Sequence, residues 1–292
     1  MNFKSLQNIL QDDPIDFCMS KHLISNKNTC RRCRIAMKLV NDSSKEDGKV
    51  WRCPTCRSNL SIRKDSIFYA SHCTIPTILE LLYWWSIKLP VTQASIECGV
   101  NVNTAINYYK IFRGVCVELS LGGEKIGGEG LVVEIDEMKL GKRKYHRGKR
   151  VEGQWCFGGI VRRENKDDPI HCFIVPVEDR SRNTLLPIIK EYVKDGTTIY
   201  SDCWKAYDCL DDEGFVHYSV NHSLHFKDPD TGVHTNTVEG MWNQVRRSLP
   251  KFGTKKEYYH AYLAEFVIRN RFRSTKFFDY FIDHLHEFVL WE

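Results

Sequence analysis

The chain lacks any apolar run approaching the roughly 20 residues that a membrane-crossing helix needs, so no membrane partner is expected. Its first residues, MNFKSLQNILQDDPIDF, carry acids and lack the apolar centre of a signal peptide, so the protein is expected to be soluble and not exported. With no secretory signal, twelve cysteines point to metal ligands and buried thiols rather than to disulfides. Net charge is also modest, +5 over 292 residues, but it is unevenly spread. Between Asn26 and His72 eleven Lys/Arg face four Asp/Glu, which gives that stretch +7 and leaves the remainder near −2. Basic charge gathered in a small module suggests a polyanionic partner. A hydrophobic content of 42% with 12% aromatics excludes wholesale disorder, and the length allows one large domain or two to three small ones.

Within the basic stretch, Cys30-x-x-Cys33 and Cys53-x-x-Cys56 are separated by nineteen residues. Two such knuckles match a four-thiolate structural zinc site, each tight turn bringing two sulfurs to one ion at about 2.3 Å. A single pair would also fit redox chemistry, but two pairs argue against it. A segment of under fifty residues buries little core, so one zinc ion is expected to supply folding energy on the order of 10 kcal/mol. Residues 26–72 therefore read as a zinc ribbon. Residues 1–25 before it read as one amphipathic helix ending near Asp13-Pro14, with no chemistry assigned.

Residues 73–121 hold three helical patterns, the first stopped by Pro90 and the next two separated by Gly99. Short helix, glycine turn, second helix is the layout of a helix-turn-helix, with Asn103, Thr104 and Asn107 available to a DNA major groove. A plain helical hairpin is the competing reading. Five glycines in the nine residues 122–130 mark a flexible linker.

From Leu131 to residue 292 the pattern becomes α/β. LVVEIDEM, QWCFGGIVRR and IHCFIVPV read as three strands, and NTLLPIIKEYVKDG as a helix with Asn183 as its N-cap. TTIYSDC follows as a strand ending on Asp202, then a helical WKAYDCL, then FVHYSV as a fifth strand. Asn236 stands three residues before Glu239 at the head of a further helix, a capping arrangement in which Asn236 accepts an early backbone N–H. Aromatic stripes in the helical tail belong to a core. This order implies a mixed sheet covered by helices, with Asp136 and Asp202 at the ends of adjacent parallel strands. As structural alternatives, Asp202 caps the turn at Trp204 and Asp136 pairs with Lys139.

Residues 131–273 resemble the DDE transposase core of the Merlin superfamily and its bacterial ISXO2-like insertion-sequence relatives. The resemblance rests on VEIDEMK around Asp136, GQWCFGGIVRR, IYSDCWKAY around Asp202, and VNH followed by HTNTVEGMWNQVRR around Glu239. The 36-residue interval between Asp202 and Glu239 and the upstream cysteine knuckles also fit. It implies a ribonuclease H-like catalytic domain and cut-and-paste transposition. The partners would be double-stranded DNA, as terminal inverted repeats and as target. A homodimer or larger assembly would hold two transposon ends, in the nucleus of a eukaryotic host or otherwise in the cytoplasm or nucleoid. Asp136, Asp202 and Glu239 would be the catalytic acids, binding two Mg²⁺ (or Mn²⁺) ions. Hard divalent cations take carboxylate oxygens, and phosphodiester cleavage needs an activated water, neutralised phosphate charge and a stabilised leaving oxygen.

Around these acids, His234 and Asn236 are candidates to orient a water or touch the scissile phosphate. Lys139, Lys142, Arg143, Lys144, Arg147, Lys149 and Arg150 form a basic, hairpin-like stretch suited to tracking phosphates or to a nuclear localisation signal. His217, His222 and His225 read as a packed or DNA-facing loop rather than as a second metal cluster. Trp155 reads equally as core or as a stacking wedge. A domesticated relative that only binds DNA, or a structure-specific nuclease, would share much of this pattern.

Overall fold

A computed structural model describes residues 1–141, 153–165, 168–220, 232–250, 254–272 and 277–285. The chain forms two compact units, Met1–Val115 with Ser274–Glu292, and Cys116–Arg273.

The first unit opens with two helices where the sequence reads as one. Helix α1 (Phe3–Asp12) stops because Pro14 cannot continue it, and Asp13 then starts α2 (Pro14–Ser20). Its carboxylate accepts the N–H groups of Ile15 and Asp16 at 3.0 and 2.9 Å and also meets Lys49 at 2.9 Å. Strands β1 (Lys38–Asn41), β2 (Lys49–Arg52) and β3 (Asn59–Ser61) follow as an antiparallel sheet in that order. Buried Arg63 ties this sheet to the next segment, forking onto Asp47 at 2.6 and 2.7 Å and donating to the carbonyls of Ser71 and Cys73.

Helix α3 (Ile75–Ser86) is capped by Thr74 and stops before Pro90. Helices α4 (Val91–Glu97) and α5 (Val102–Leu121) follow, joined by a turn in which Gly99 takes φ +62. Ala94, Ser95 and Ala105 are buried, and Asn101 accepts Asn103 N–H at 2.9 Å to begin α5. Asn103 and Asn107 are exposed and Thr104 half-buried. The core of this unit centres on Trp85, whose ring meets Phe112, Phe277 and Phe281. The last two lie on α9 (Phe277–Leu285), so the aromatic stripe of the tail is core of the first unit.

The second unit is a five-stranded mixed sheet, ordered β6-β5-β4-β7-β8. Its strands are β4 (Val132–Leu140), β5 (Gln154–Val161), β6 (Cys172–Val177), β7 (Thr198–Asp202) and β8 (Val216–Val220). β4, β5 and β6 pair antiparallel, whereas β7 lies parallel to both β4 and β8. Helix α6 (Arg182–Tyr192) covers one face through Leu185 and Ile189, packed with Val133, Ile135, Phe157 and Ile199. Helices α7 (Asn236–Ser248) and α8 (Tyr259–Arg271) cover the other, packed with Met138, Leu140 and Cys156. This mixed α/β layer fits a ribonuclease H-like domain.

Three local readings change. Helix α6 begins at Arg182 after Ser181, because Asp179 organises the turn by accepting Ser181 N–H and Thr184 Oγ1–H, so Asn183 is inside the helix. The WKAYDCL stretch makes only a single 3-10 turn, Lys205–Tyr207. The glycine-rich stretch is packed: Ile126 is buried and bridges Val193 in parallel, and Gly127 (φ +81) lies so close to Thr197 that a β-carbon would stand 2.6 Å from its Oγ1.

Candidate active site

Strand register brings the first two acids together. β4 and β7 run parallel with Val132 opposite Thr198 and Glu134 opposite Tyr200, where their pairing ends. Asp202 closes β7, whereas Asp136 stands in the middle of β4 (Val132–Leu140) rather than at its end as the sequence suggests, and is near enough for the Asp202 charge to act on it. The alternation that buries Ile135 against α6 turns Asp136 toward the α7 face, where Glu239 lies in the first turn of that helix. Burial pushes the Asp136 carboxyl up to about 7, and the charges of Glu137, Asp202 and Glu239 add to that rise. One Asp136 oxygen accepts the Glu137 N–H at 2.8 Å. Asp202 accepts the Trp204 N–H at 3.1 Å, so it does cap the turn after β7. Lys139 does not pair with Asp136; it sits on the opposite face with its Nζ 5.4 Å from the Trp155 ring.

Close approach of α7 depends on Gly158, the residue opposite Asp136 on β5. A β-carbon there would stand 3.0 Å from the Trp242 ring and 3.1 Å from Met241 Cε. The start of α7 is fixed by a group that sequence reasoning did not find. Asn236 is already inside the helix, and Thr235 at the N-cap position makes no side-chain capping bond. The cap comes from Glu134, fully buried on β4, whose Oε2 accepts the N–H groups of Thr237 and Val238 at 2.7 and 3.0 Å. Its Oε1 accepts Thr237 Oγ1–H at 2.7 Å and Arg162 Nε–H at 2.5 Å. Arg162 also donates to the His234 carbonyl at 2.8 Å, and the His234 Nδ1 lies 3.8 Å from Glu134. His234 thus belongs to the network that holds α7.

On the other face of β4, Glu137 accepts the Tyr207 hydroxyl and lies 3.9 Å from Arg180. Burial first, then Asp202, raises its carboxyl. The Arg180 guanidinium is held between two indoles, 4.3 Å from Trp155 and 4.5 Å from Trp204. His217 faces Ser201, its Nε2 at 2.8 Å from the hydroxyl. Lys142, Arg143, Lys144, Arg147, Lys149, Arg150, His222 and His225 lie outside the described residues.

The four cysteines do meet. Their sulfurs all lie within 4.8 Å of one another, with Cys30 and Cys56 at 3.6 Å, close to the edge of about 3.8 Å implied by tetrahedral Zn–S bonds of about 2.3 Å. Both knuckles share one backbone pattern: Cys30 N–H donates to Ile35 O and Cys53 N–H to Ser58 O, each at 2.9 Å. Arg34 (φ +55) and Arg57 (φ +57) make the matching left-handed turns. The Ser58 hydroxyl, 3.4 Å from Cys30 and 3.2 Å from Cys56, holds both thiols below their usual range. This donor set fits zinc.

Residues 124–271 match the ISXO2-like transposase domain. The chain belongs to that transposase family. An uncharacterized transposase-like protein of Haemophilus influenzae is 39% identical over 94 residues, covering 32% of this chain and 75% of the relative. Family membership implies DNA binding, DNA cleavage and use of divalent metal. The transposase domain has carboxylates that could hold it: Asp136, Asp202 and Glu239 are hard oxygen donors, and a cation would favour the charged form of Asp136 that burial and its acidic neighbours disfavour. Among the described residues the four sulfurs are the one set of ligand atoms drawn within 4.8 Å of one another.

Proposed function

We propose that this chain is an active, metal-dependent transposase that cuts DNA at terminal inverted repeats and joins the 3′ ends to target DNA. The observation that carries the reading is a buried Asp136 whose carboxyl is raised by that burial and by the charges of Asp202, at the end of the neighbouring parallel strand, and of Glu239, in the first turn of α7. Asp136 would serve as the shared carboxylate ligand, and Asp202 and Glu239 would each serve one ion. Ions held there, Mg²⁺ or Mn²⁺, would supply neutralisation of phosphate charge and activation of a water or a DNA 3′-hydroxyl. Gly158 lets the helix close on the sheet. Glu137, held by Tyr207, keeps a further carboxylate at the same edge.

Recognition of transposon ends falls to the zinc ribbon, residues 26–72, and to residues 73–121, read as a helix-turn-helix with Asn103, Thr104 and Asn107 toward the major groove. Residues 131–273 carry the catalysis, and two ends held together require at least a dimer. Presence of all three acids favours this reading over a domesticated DNA-binding relative.

The test is strand cleavage of DNA carrying the element's own ends, by Asp136→Asn, Asp202→Asn and Glu239→Gln proteins. Each variant should bind the ends and fail to cut them. Normal cutting by all three would remove the acids from the mechanism.

A further inference from the structure

The apolar face of α7, formed by Val238, Met241, Trp242 and Val245, explains why the helix lies on the sheet, but not where along the sheet it stops. Apolar contact is non-directional, and a slip of one residue moves a helix by about 1.5 Å along its axis and turns it by about 100°. Glu239 directly follows the two residues whose N–H groups Glu134 receives, so any such slip would pass straight into its carboxylate. Glu134 stands two residues before Asp136 on the same face of the same strand. It therefore measures the start of α7 directly against the strand that carries Asp136.

The chemistry is specific to a carboxylate. Four donors converge on its two oxygens: the Thr237 and Val238 N–H groups, the Thr237 hydroxyl and Arg162 Nε. A fully buried charge so close to Asp136 would add to the repulsion among the acids unless it were neutralised. Arg162 neutralises it, and is itself anchored by donating to the His234 carbonyl just before the helix. An amide in place of Glu134 would turn an NH₂ group toward N–H donors and leave Arg162 without its carboxylate partner.

We propose that Glu134 is a positioning residue that sets Glu239 in register with Asp136 and Asp202, and so tunes the affinity of the acid cluster for divalent cations. This rests on the metal-dependent reading above. Calorimetric titration of the full-length, DNA-free protein with Mn²⁺ tests it, with folding followed by circular dichroism. Groups that orient metal ligands typically contribute about 10- to 100-fold in affinity. Glu134→Gln should weaken Mn²⁺ binding about 10-fold or more while the protein stays folded.

The deciding comparison is the double variant. If Glu134 acts through Glu239, then Glu134→Gln/Glu239→Gln binds Mn²⁺ no more weakly than Glu239→Gln alone. Multiplying losses, or wild-type affinity in Glu134→Gln, would overturn the proposal. Should Glu134→Gln fail to fold, Thr237→Val removes one of the four donors. It should weaken Mn²⁺ binding in the same direction, and not at all when Glu239 is already Gln; wild-type affinity in Thr237→Val would overturn the proposal. A wild-type protein that takes up no Mn²⁺, or one whose uptake survives Asp136→Asn, removes the metal reading and this inference with it. Loss in Asp136→Asn without loss in Glu134→Gln removes this inference alone.

Discussion

The four-cysteine cluster and the three-carboxylate cluster are assembled in opposite ways. The cysteines lie within 27 residues of chain, in two knuckles with identical backbone bonds, and the fold around them is little more than three short strands. The acids span 104 residues, and their charges reach one another only across a parallel strand pairing and a helix that a glycine on a third strand lets close on the sheet. In the first case the ligands make the local structure; in the second the structure makes the ligands. Removing a metal should therefore be ruinous for one region and mild for the other.

The largest expected effect is in the ribbon. Chelation of zinc, or Cys30→Ser, should unfold residues 26–72, since structural zinc contributes on the order of 10 kcal/mol to such modules. Loss of one bound zinc per chain by elemental analysis should accompany loss of end binding, with the second unit's sheet retained in the circular dichroism spectrum. A metal-free chain whose ribbon kept its protected amides would erase the contrast.

At the acids the expectation reverses. Asp136→Asn should lower cleavage by orders of magnitude, several kcal/mol of barrier, while stability holds or rises. The sign follows from the raised Asp136 carboxyl. A proton is held more tightly in the folded chain than in the unfolded one, so without metal, stability should fall as pH rises from about 4 toward 7. Asp136→Asn should flatten that part of the curve of melting temperature against pH. A wild-type curve that rises over this range would show that burial and the neighbouring charges do not raise the Asp136 carboxyl.

Smaller still is Gly158→Ala. Its new methyl group meets Trp242 and Met241 at the distances given above, and overpacking of this kind costs about 1–3 kcal/mol. Because α7 must back away, cleavage should drop by more than the stability loss explains; equal losses would make Gly158 a packing residue only.

Smallest is Asp13→Ala, which removes a helix cap and should cost about 1 kcal/mol, read as a shift in the denaturation midpoint. Lys49 beside Asp13 holds its carboxyl below the usual range, so this contribution is present at neutral pH and disappears as the solution is acidified through the carboxylate range.

The same contrast governs what the sequence made readable. Cys-x-x-Cys pairs announce themselves because the geometry they need is contained in four residues. The strands of the second unit and its helices other than WKAYDCL are readable from period and punctuation, but Asp136 reads as a strand end and stands mid-strand, because β4 runs on to Leu140. Glu134 was invisible for a physical reason. In VVEIDEM it looks like one more polar residue in an alternating strand, and the N–H groups it caps lie about a hundred residues downstream. Asn236 drew attention in its place, having the right type and spacing for a cap that a distant carboxylate already supplies. Asp13-Pro14 reads as the end of a helix; that it also begins the next depends on the reach of the Asp13 carboxylate to Ile15 and Asp16.

The discontinuous build of the first unit bears on how the protein is made. Trp85 is packed by Phe112 from the same early stretch, but also by Phe277 and Phe281, which leave the ribosome only after the whole second unit has been synthesised. During translation the early helices must wait with one side of their aromatic core bare. The second unit, whose strands are contiguous, is free to fold in the meantime. A nascent chain halted near residue 272 would therefore carry the complete sheet of the second unit and a first unit still lacking Phe277 and Phe281.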